Sequence, residues 1–190
     1  IPIHRPPRAA PAPTVYPAAV PGDPNPTAPP LPTAIDGALI QPLSWYDDQR
    51  GGLSVLLRSD QHELFGERFG QAYVTTVLPG VVKAWHVHQA QWDRMVGLVG
   101  RTLLVLVDAR PASPTRGATV EVVLAQRQHR MVLIPPGVWH GLKALSTDES
   151  LVLNLPDQPY ILGAPDEFRF APDASPVPGQ PAYDWSRRDG

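Results

Sequence analysis

Three histidines and one aspartate have the residue types and the spacing that can do chemistry. His86 and His88 are one residue apart, Asp93 follows shortly after them, and His140 comes after a Pro-Gly turn. Residues two apart on a strand point to the same face, so we expect the two neighbouring histidines to share one. Three imidazoles and a carboxylate around one point form a ligand set for a divalent metal such as Mn, Fe, Ni or Zn. His86 is equally suited to be a base that removes a proton from a substrate, and the spacing alone leaves both roles open.

The composition excludes several classes of protein. The chain of 190 residues has a net charge of -2, which provides no basic surface for nucleic acid. It has no cysteine, so disulfides, thiol catalysis, iron–sulfur clusters and cysteine-bound zinc are excluded. No run of about 18 apolar residues is present, and no membrane span is therefore predicted. The sequence begins at Ile1 without an initiator methionine, as expected of a removed leader or a trimmed start, and it leaves the compartment open.

The sequence divides into a proline-rich segment, residues 1–34, and a domain, residues 35–190. Twelve of the 25 prolines lie in the first segment. Because proline fixes φ and lacks an N–H, this segment can form neither a helix nor a central strand. We expect it to be a disordered tail in an isolated molecule. The alternative is an arm that lies along a partner subunit in a homodimer or a larger assembly.

Short runs rich in β-branched residues predict an all-β fold for the domain. Gly, Pro, Asp and Ser separate the runs, and no stretch of helical length has a clean 3.6-residue period. At most one short helix is predicted, over residues 59–69. The pattern indicates an antiparallel sandwich or barrel. The predicted strands are residues 75–78, 94–99, 102–108, 120–124, 131–134 and 150–154.

Two motifs give a more specific indication. They read Gly80-x5-His86-x-His88-x4-Asp93-x6-Gly100 and Pro135-x-Gly137-x2-His140. Together they resemble the two motifs of the cupin superfamily, whose fold is a double-stranded β-helix, or jelly roll. In the metal-binding members of that superfamily, the positions that hold the metal match His86, His88, Asp93 and His140, with a glutamate usually standing where this chain has Asp93.

A narrower resemblance covers roughly residues 45 to 185. It rests on five segments and their order: Asp48-Gln-Arg50-Gly51, Gln71-Ala-Tyr73, Val82-Lys-Ala-Trp-His86, Asp108-Ala-Arg110-Pro-Ala-Ser113-Pro114-Thr115-x-Gly117 and Ile134-Pro-Pro-Gly-Val-Trp-His140-Gly141. They resemble the dTDP-4-dehydrorhamnose 3,5-epimerase family. Its members remove the acidic protons beside the keto group of a nucleotide-linked 4-keto-6-deoxy sugar and return them on the other face. The resemblance implies a metal-independent, dimeric enzyme with a sugar nucleotide as its ligand, and it favours a cytoplasmic location.

The same resemblance assigns roles to residues of this chain. His86 matches the catalytic base. Arg50 matches a substrate-contacting arginine, which is a suitable partner for a diphosphate. Gln71 and His140 match positions that line the pocket.

Other positions depart from the family's pattern. Lys83 replaces an arginine and keeps its charge, His88 replaces a glutamine, and Asp93 replaces a lysine. Asn154 matches the tyrosine that serves as acid, and we expect it to contact the substrate, while Tyr160 retains a tyrosine nearby. The element that carries the family's histidine-orienting aspartate would come after the last residue of this sequence.

Three hypotheses follow. The first is an epimerase-like cupin that acts on a nucleotide-linked 4-keto-6-deoxy sugar, with His86 as base, Tyr160 as acid and Lys83 stabilising the enolate. His88 and Asp93 are residues that a metal needs, so we expect this enzyme to hold a divalent metal in the barrel, where it would polarise the sugar carbonyl. The second is a metal-dependent cupin of another reaction type. The third is a non-catalytic cupin that serves binding or assembly.

Overall fold

The computed structural model describes residues 28–60, 68–126 and 128–186. Within these ranges the chain forms thirteen strands and no helix, so no helix there could cross a membrane. The strands are β1 (Leu31–Pro32), β2 (Leu39–Pro42), β3 (Tyr46–Asp48), β4 (Gly51–Leu53), β5 (Tyr73–Val77), β6 (Val82–Val87), β7 (Asp93–Val99), β8 (Arg101–Asp108), β9 (Thr119–Ala125), β10 (Arg130–Ile134), β11 (Val138–Ala144), β12 (Ser150–Asn154) and β13 (Phe168–Arg169).

Most strands belong to two antiparallel sheets. The larger sheet has the order β1-β2-β10-β7-β12-β5, and the smaller has the order β13-β6-β11-β8-β9. Strands β3 and β4 form a separate hairpin. The six predicted runs correspond to β5, β7, β8, β9, β10 and β12, with ends that agree within two residues. The predicted all-β jelly roll is confirmed.

Only the end of the proline-rich segment lies within the described residues. Strand β1 pairs with β2 at the edge of the larger sheet, which is a position where a proline without an N–H is tolerated. The side-chain amide of Gln41 donates to the carbonyl of Ala28 at 3.0 Å and ties this end to the sheet. Residues 1–27, and residues 61–67 of the predicted short helix, lie outside the described residues. The tail or arm, the helix and the domain boundary at residue 35 therefore stay predictions.

Apolar side chains fill the space between the two sheets. Val132 and Val152 of the larger sheet and Leu104 and Leu106 of the smaller sheet are fully buried in one cluster. Burying such side chains is the main contribution to the stability of a sandwich, at about 25 cal/mol for each Å² removed from water. The core fixes the spacing of the sheets next to the polar cavity described below.

The C-terminal segment covers the outer face of the smaller sheet. Trp185 packs on Trp85 with ring centroids 5.0 Å apart, and Tyr183 meets the same ring edge-on at 6.2 Å. Trp85 is fully buried under them. Because neighbouring residues on a strand point to opposite faces, this packing directs His86 into the space between the sheets.

A buried carboxylate organises the loop after β8. Asp108 has no exposed surface, and it accepts hydrogen bonds from Arg110, Ser113 and Thr115 at 2.5 to 2.9 Å. Arg110 also donates to the carbonyl of Asp36 at 2.7 Å, which ties the loop to the segment before β2. These contacts give the loop a structural role.

The same loop supports the turn that leads to His140. Gly137 has a φ of 79°, and a Cβ there would come 2.7 Å from Cγ of Arg110. Only glycine combines that backbone angle with such a close approach. The Asp108 loop therefore fixes the start of β11, which carries His140 to the cavity.

We predict that Asp108→Asn destabilises the protein by about 2 to 4 kcal/mol at pH 7, because a buried charge-assisted network is broken. Burial opposes ionisation of Asp108, but the hydrogen bonds from Arg110, Ser113 and Thr115 outweigh it and hold the pKa well below its usual range. A depressed pKa stabilises the fold above the unfolded value of about 4, and that stabilisation is lost as the pH falls towards the folded value. Urea unfolding should therefore show a difference between wild type and variant that shrinks below about pH 4.

Asp47→Asn is the matched control, since Asp47 is exposed on β3. It should change the free energy of unfolding by less than about 0.5 kcal/mol. A difference between wild type and Asp108→Asn that does not depend on pH would contradict the assignment.

Candidate active site

A cavity of about 450 Å³ lies between the two sheets. Side chains of both sheets line it, together with the segment that follows β12. Of the residues predicted from the sequence, the structure brings these to the cavity wall: Gln71, Lys83, His86, His88, His140 and Tyr160. The wall also contains residues that sequence analysis gave no role, among them Tyr73, Thr75, Gln91, Glu167 and Arg169.

His86 lies on β6 directly opposite His140 of β11, with the two rings edge to face and their centroids 6.1 Å apart. Burial and the neighbouring His140 lower the pKa of His86 to about 4, although the nearby carboxylate of Glu167 opposes the shift. The imidazole is therefore neutral at pH 7 and has a lone pair available to accept a proton.

Lys83 also lines the cavity, three residues before His86 on the same strand. The register of β6 on β11 shifts between the pairs His86–His140 and Lys83–Leu142, so β6 carries one extra residue there. Such a bulge lets residues three apart face the same side of a sheet. The ammonium of Lys83 donates to the hydroxyl of Thr75 at 2.6 Å, which places a cation at the wall formed by β5.

His88, Asp93 and His140 form a compact cluster of potential metal ligands. Asp93 Oδ2 lies 3.4 Å from Nε2 of His88 and 3.5 Å from Nε2 of His140. One ligand atom of each residue lies within 4.8 Å of the other two. His86 is not part of this group, although the sequence predicted it as a fourth ligand. The reason is that His86 projects from within β6, whereas His88 lies past the strand's end and turns towards Asp93.

Asp93 is a buried carboxylate with a complete set of partners. Only 1% of its side chain is exposed. Oδ1 accepts hydrogen bonds from Gln91 Nε2 at 2.9 Å and from Asn154 Nδ2 at 2.7 Å. These two amides leave Oδ2 facing His88 and His140, which is the arrangement that a carboxylate ligand requires.

Asn154 links this carboxylate to Tyr73. Its Nδ2 donates to Tyr73 Oη at 2.9 Å as well as to Asp93, while its Oδ1 accepts the backbone N–H of Arg94 at 2.9 Å. Asn154 is fully buried and, in the described structure, is not among the cavity-lining residues. The sequence predicted a substrate contact for Asn154, but the structure places it behind the cavity wall, where it positions other side chains.

Tyr73 is a cavity residue that sequence analysis did not select as functional. Burial and the charge of Asp93 raise the pKa of Tyr73 to about 12, against the effect of the hydrogen bond from Asn154. The phenol is therefore protonated at pH 7. Its place on β5, in register with Asn154 on β12, could not be read from the sequence because the two residues are 81 positions apart.

Asp166 holds the loop between β6 and β7. Its carboxylate accepts the backbone N–H groups of Gln89, Ala90 and Gln91 at 2.8 to 2.9 Å. Its carbonyl oxygen contacts Nδ1 of His88. This contact leaves Nε2 as the ring nitrogen that faces Asp93. No local signal in the sequence pointed to the contact with His88, because it spans 78 positions.

Arg50, predicted to contact the substrate, and Tyr160, predicted to be the acid, lie in different places. Arg50 is in the turn between β3 and β4, with 83% of its side chain exposed and an ion pair to Asp48. Within the described structure, it is not part of the cavity wall. Tyr160 lines the cavity, but it is 56% exposed and lies in the segment after β12.

Comparisons with known proteins agree with the fold. The family model described as dTDP-4-dehydrorhamnose 3,5-epimerase matches residues 32–171. A curated relative, the probable low-salt glycan biosynthesis epimerase Agl13 of Haloferax volcanii, is 37% identical over 129 residues. The match covers 66% of this chain and 81% of the relative.

Two solved structures are similar over most of the chain. A dTDP sugar isomerase from Desulfovibrio desulfuricans G20 has a TM-score of 0.73 and 32% identity, covering 82% of this chain and 95% of its own. NovW, a 4-keto-6-deoxy sugar epimerase from the novobiocin biosynthetic gene cluster of Streptomyces spheroides, has a TM-score of 0.73 and 26% identity. That match covers 84% of this chain and 79% of NovW.

We predict that Asp166→Ala lowers the free energy of unfolding by about 1 to 3 kcal/mol, because three backbone amides lose a charged acceptor. Hydrogen exchange should show the amides of residues 89–91 losing protection more than those of the sheet core. Asp173→Ala is the control, since Asp173 is an exposed aspartate in the same C-terminal region. Unchanged protection at residues 89–91 would contradict the role given to Asp166.

Proposed function

Since this chain belongs to the dTDP-4-dehydrorhamnose 3,5-epimerase family, we propose that it inverts the configuration of a carbon atom beside the keto group of a nucleotide-linked 4-keto-6-deoxy sugar. Family membership makes it a sugar-nucleotide epimerase or isomerase. The choice of a 4-keto-6-deoxy sugar is supported by the description of NovW as an epimerase of such sugars. The observation that carries the proposal is a neutral imidazole, His86, facing a cavity that also contains a cation and a phenol.

In this reaction His86 takes the proton from the carbon next to the keto group. The C–H bond breaks, its electron pair forms the enolate, and negative charge develops on the keto oxygen. A proton then adds to the same carbon from the other face and the carbonyl re-forms, so no oxidant or reductant is needed. His86 is suited to the first step because its lone pair is free at pH 7.

Lys83 is suited to stabilise the enolate. Its ammonium is held at the cavity wall by Thr75 Oγ1 at 2.6 Å and by the carbonyl of Thr76 at 3.2 Å. A fixed cation in a partly enclosed site interacts more strongly with developing charge than it does in water. By the resemblance, the family carries a lysine at the position of Asp93. In this chain Lys83 supplies that positive charge instead.

We further propose that His88, Asp93 and His140 hold a divalent metal. The donor set fits one, because two imidazoles and a carboxylate suit Mn, Fe, Ni or Zn. Ligands about 2.1 Å from a tetrahedral ion lie about 3.4 Å apart, close to the observed contacts of Asp93 with the two histidines. A bound metal would supply a Lewis acid beside the sugar carbonyl. The same cluster favours a second candidate function, a metal-dependent reaction of another type.

The homodimer stays a prediction, as does the part that residues 1–34 would play in it. Arg50 bears on this point because it lies outside the cavity of its own chain. A diphosphate contact by Arg50 would need a second copy of the chain that brings this hairpin to the cavity.

We expect the protein to exchange carbon-bound hydrogen of a dTDP- or UDP-linked 4-keto-6-deoxy sugar with D2O, as followed by proton NMR. His86→Asn should slow this exchange by about 10²- to 10⁴-fold, because the base is removed. His129→Asn is the control, since His129 stacks on Trp45 beside β10 and lies outside the cavity. No exchange by folded wild-type protein with either nucleotide would overturn the proposal.

We expect purified protein to bind about one equivalent of Zn or Mn, with a rise in thermal unfolding temperature on addition of the metal. His88→Ala should lose the metal and the shift, whereas His86→Ala should keep both, because only His88 belongs to the cluster. Elemental analysis and thermal unfolding measure the two effects. Less than about a tenth of an equivalent in wild type, with no thermal shift, would contradict the metal site.

A further inference from the structure

We propose that Tyr73 is the catalytic acid of this chain and delivers the proton to the carbon from the face opposite His86. This rests on the proposed epimerase function and deepens it. Sequence analysis selected Tyr160 as the acid, because the position that matches the family's tyrosine carries Asn154. The geometry points instead to a phenol on the strand next to Asn154.

The first argument is the position of Tyr73 relative to the base. Tyr73 lies on β5 of the larger sheet, and His86 lies on β6 of the smaller sheet. Both side chains line the cavity that lies between the two sheets. Inversion of a carbon requires that one group removes a proton from one face and another returns a proton to the other face. A base and an acid that different sheets carry into one cavity can meet this requirement.

The second argument is the direction of the hydrogen bonds at Asn154. Its Oδ1 accepts the backbone N–H of Arg94, so its Nδ2 must be the end that faces Asp93 and Tyr73. A carboxylate and a phenol oxygen accept the two hydrogens of that amide. The phenol oxygen is therefore an acceptor towards Asn154, and its own O–H hydrogen is left to donate elsewhere. The cavity is the open direction, since 39% of Tyr73 is exposed.

The third argument is what happens to the charge after proton transfer. The O–H bond of Tyr73 breaks, the electron pair of the enolate forms the new C–H bond, and a phenolate remains. Asn154 Nδ2, 2.9 Å away, donates to that phenolate. The ammonium of Lys83 reaches β5 from β6 and donates a hydrogen bond to Thr75, two residues along β5 from Tyr73. Water then protonates the phenolate and removes the proton from His86, so the cycle closes without a net change.

Tyr160 also lines the cavity, but it belongs to neither sheet. It lies in the segment after β12 with more than half of its surface exposed. Removal of its hydroxyl is thus the comparison that separates the two candidate acids.

The test compares Tyr73→Phe with Tyr160→Phe in D2O, using the sugar nucleotide that wild type turns over. Two rates are followed by NMR, namely deuterium incorporation beside the keto group and inversion of that carbon. We expect Tyr73→Phe to lower inversion by about 100-fold or more while deuterium incorporation persists, because His86 still removes the proton and returns deuterium to the same face. Tyr160→Phe should leave the ratio of inversion to incorporation unchanged.

Tyr183→Phe is the matched control. It also loses one phenol and one hydrogen bond, to Glu121 at 2.9 Å, but it lies on the outer face of the smaller sheet. It should leave both rates unchanged, and thermal unfolding should show all three variants folded.

Three outcomes would overturn the inference. Inversion by Tyr73→Phe at the wild-type rate would exclude Tyr73 as the donor. If folded Tyr73→Phe loses both deuterium incorporation and inversion, then Tyr73 maintains the structure of the site and does not deliver the proton. Absence of incorporation in wild type would overturn the proposed function itself, and this inference with it.

Discussion

The buried carboxylate of Asp93 is the constraint on which the rest of the site depends. A charge in the interior of a sandwich costs several kcal/mol unless hydrogen bonds or cations compensate it. Gln91 and Asn154 donate hydrogen bonds to one carboxylate oxygen of Asp93, and the imidazoles of His88 and His140 face the other oxygen. Each of these partners then has a fixed orientation, so a single acidic residue determines how side chains of two strands and one loop are arranged.

This dependence explains why the departures from the family's pattern belong together. Asp93 stands where the resemblance places a lysine, and Asn154 stands where it places a tyrosine. An amide offers two donors, one for the carboxylate and one for Tyr73, whereas a phenol at the same position has only one hydrogen to give. Positive charge beside the cavity comes from Lys83 on a different strand. The framework of the fold is retained while the polar side chains inside it are redistributed.

The sequence predicted the strands and the meeting of three histidines with an aspartate, because period-two patterning and short motifs are local properties. It did not separate His86 from the cluster of potential metal ligands, since that separation depends on where β6 ends. The bulge that brings Lys83 to the same face as His86 is invisible in the sequence pattern. Asp166 and Tyr73 were not recognised as parts of the site, because their partners are 78 and 81 positions away and only the folded topology brings them together.

The register of Tyr73 opposite Asn154 has an evolutionary consequence. Opposed residues on neighbouring antiparallel strands have side chains on one face with Cβ atoms about 5 Å apart. A functional group lost at one of two such positions can be regained at the other while the backbone stays as it was. A lineage that acquires the second tyrosine before losing the first never passes through a form without a phenol. At a cross-strand pair of this kind, the position of a catalytic group can therefore change from one strand to its neighbour through single substitutions.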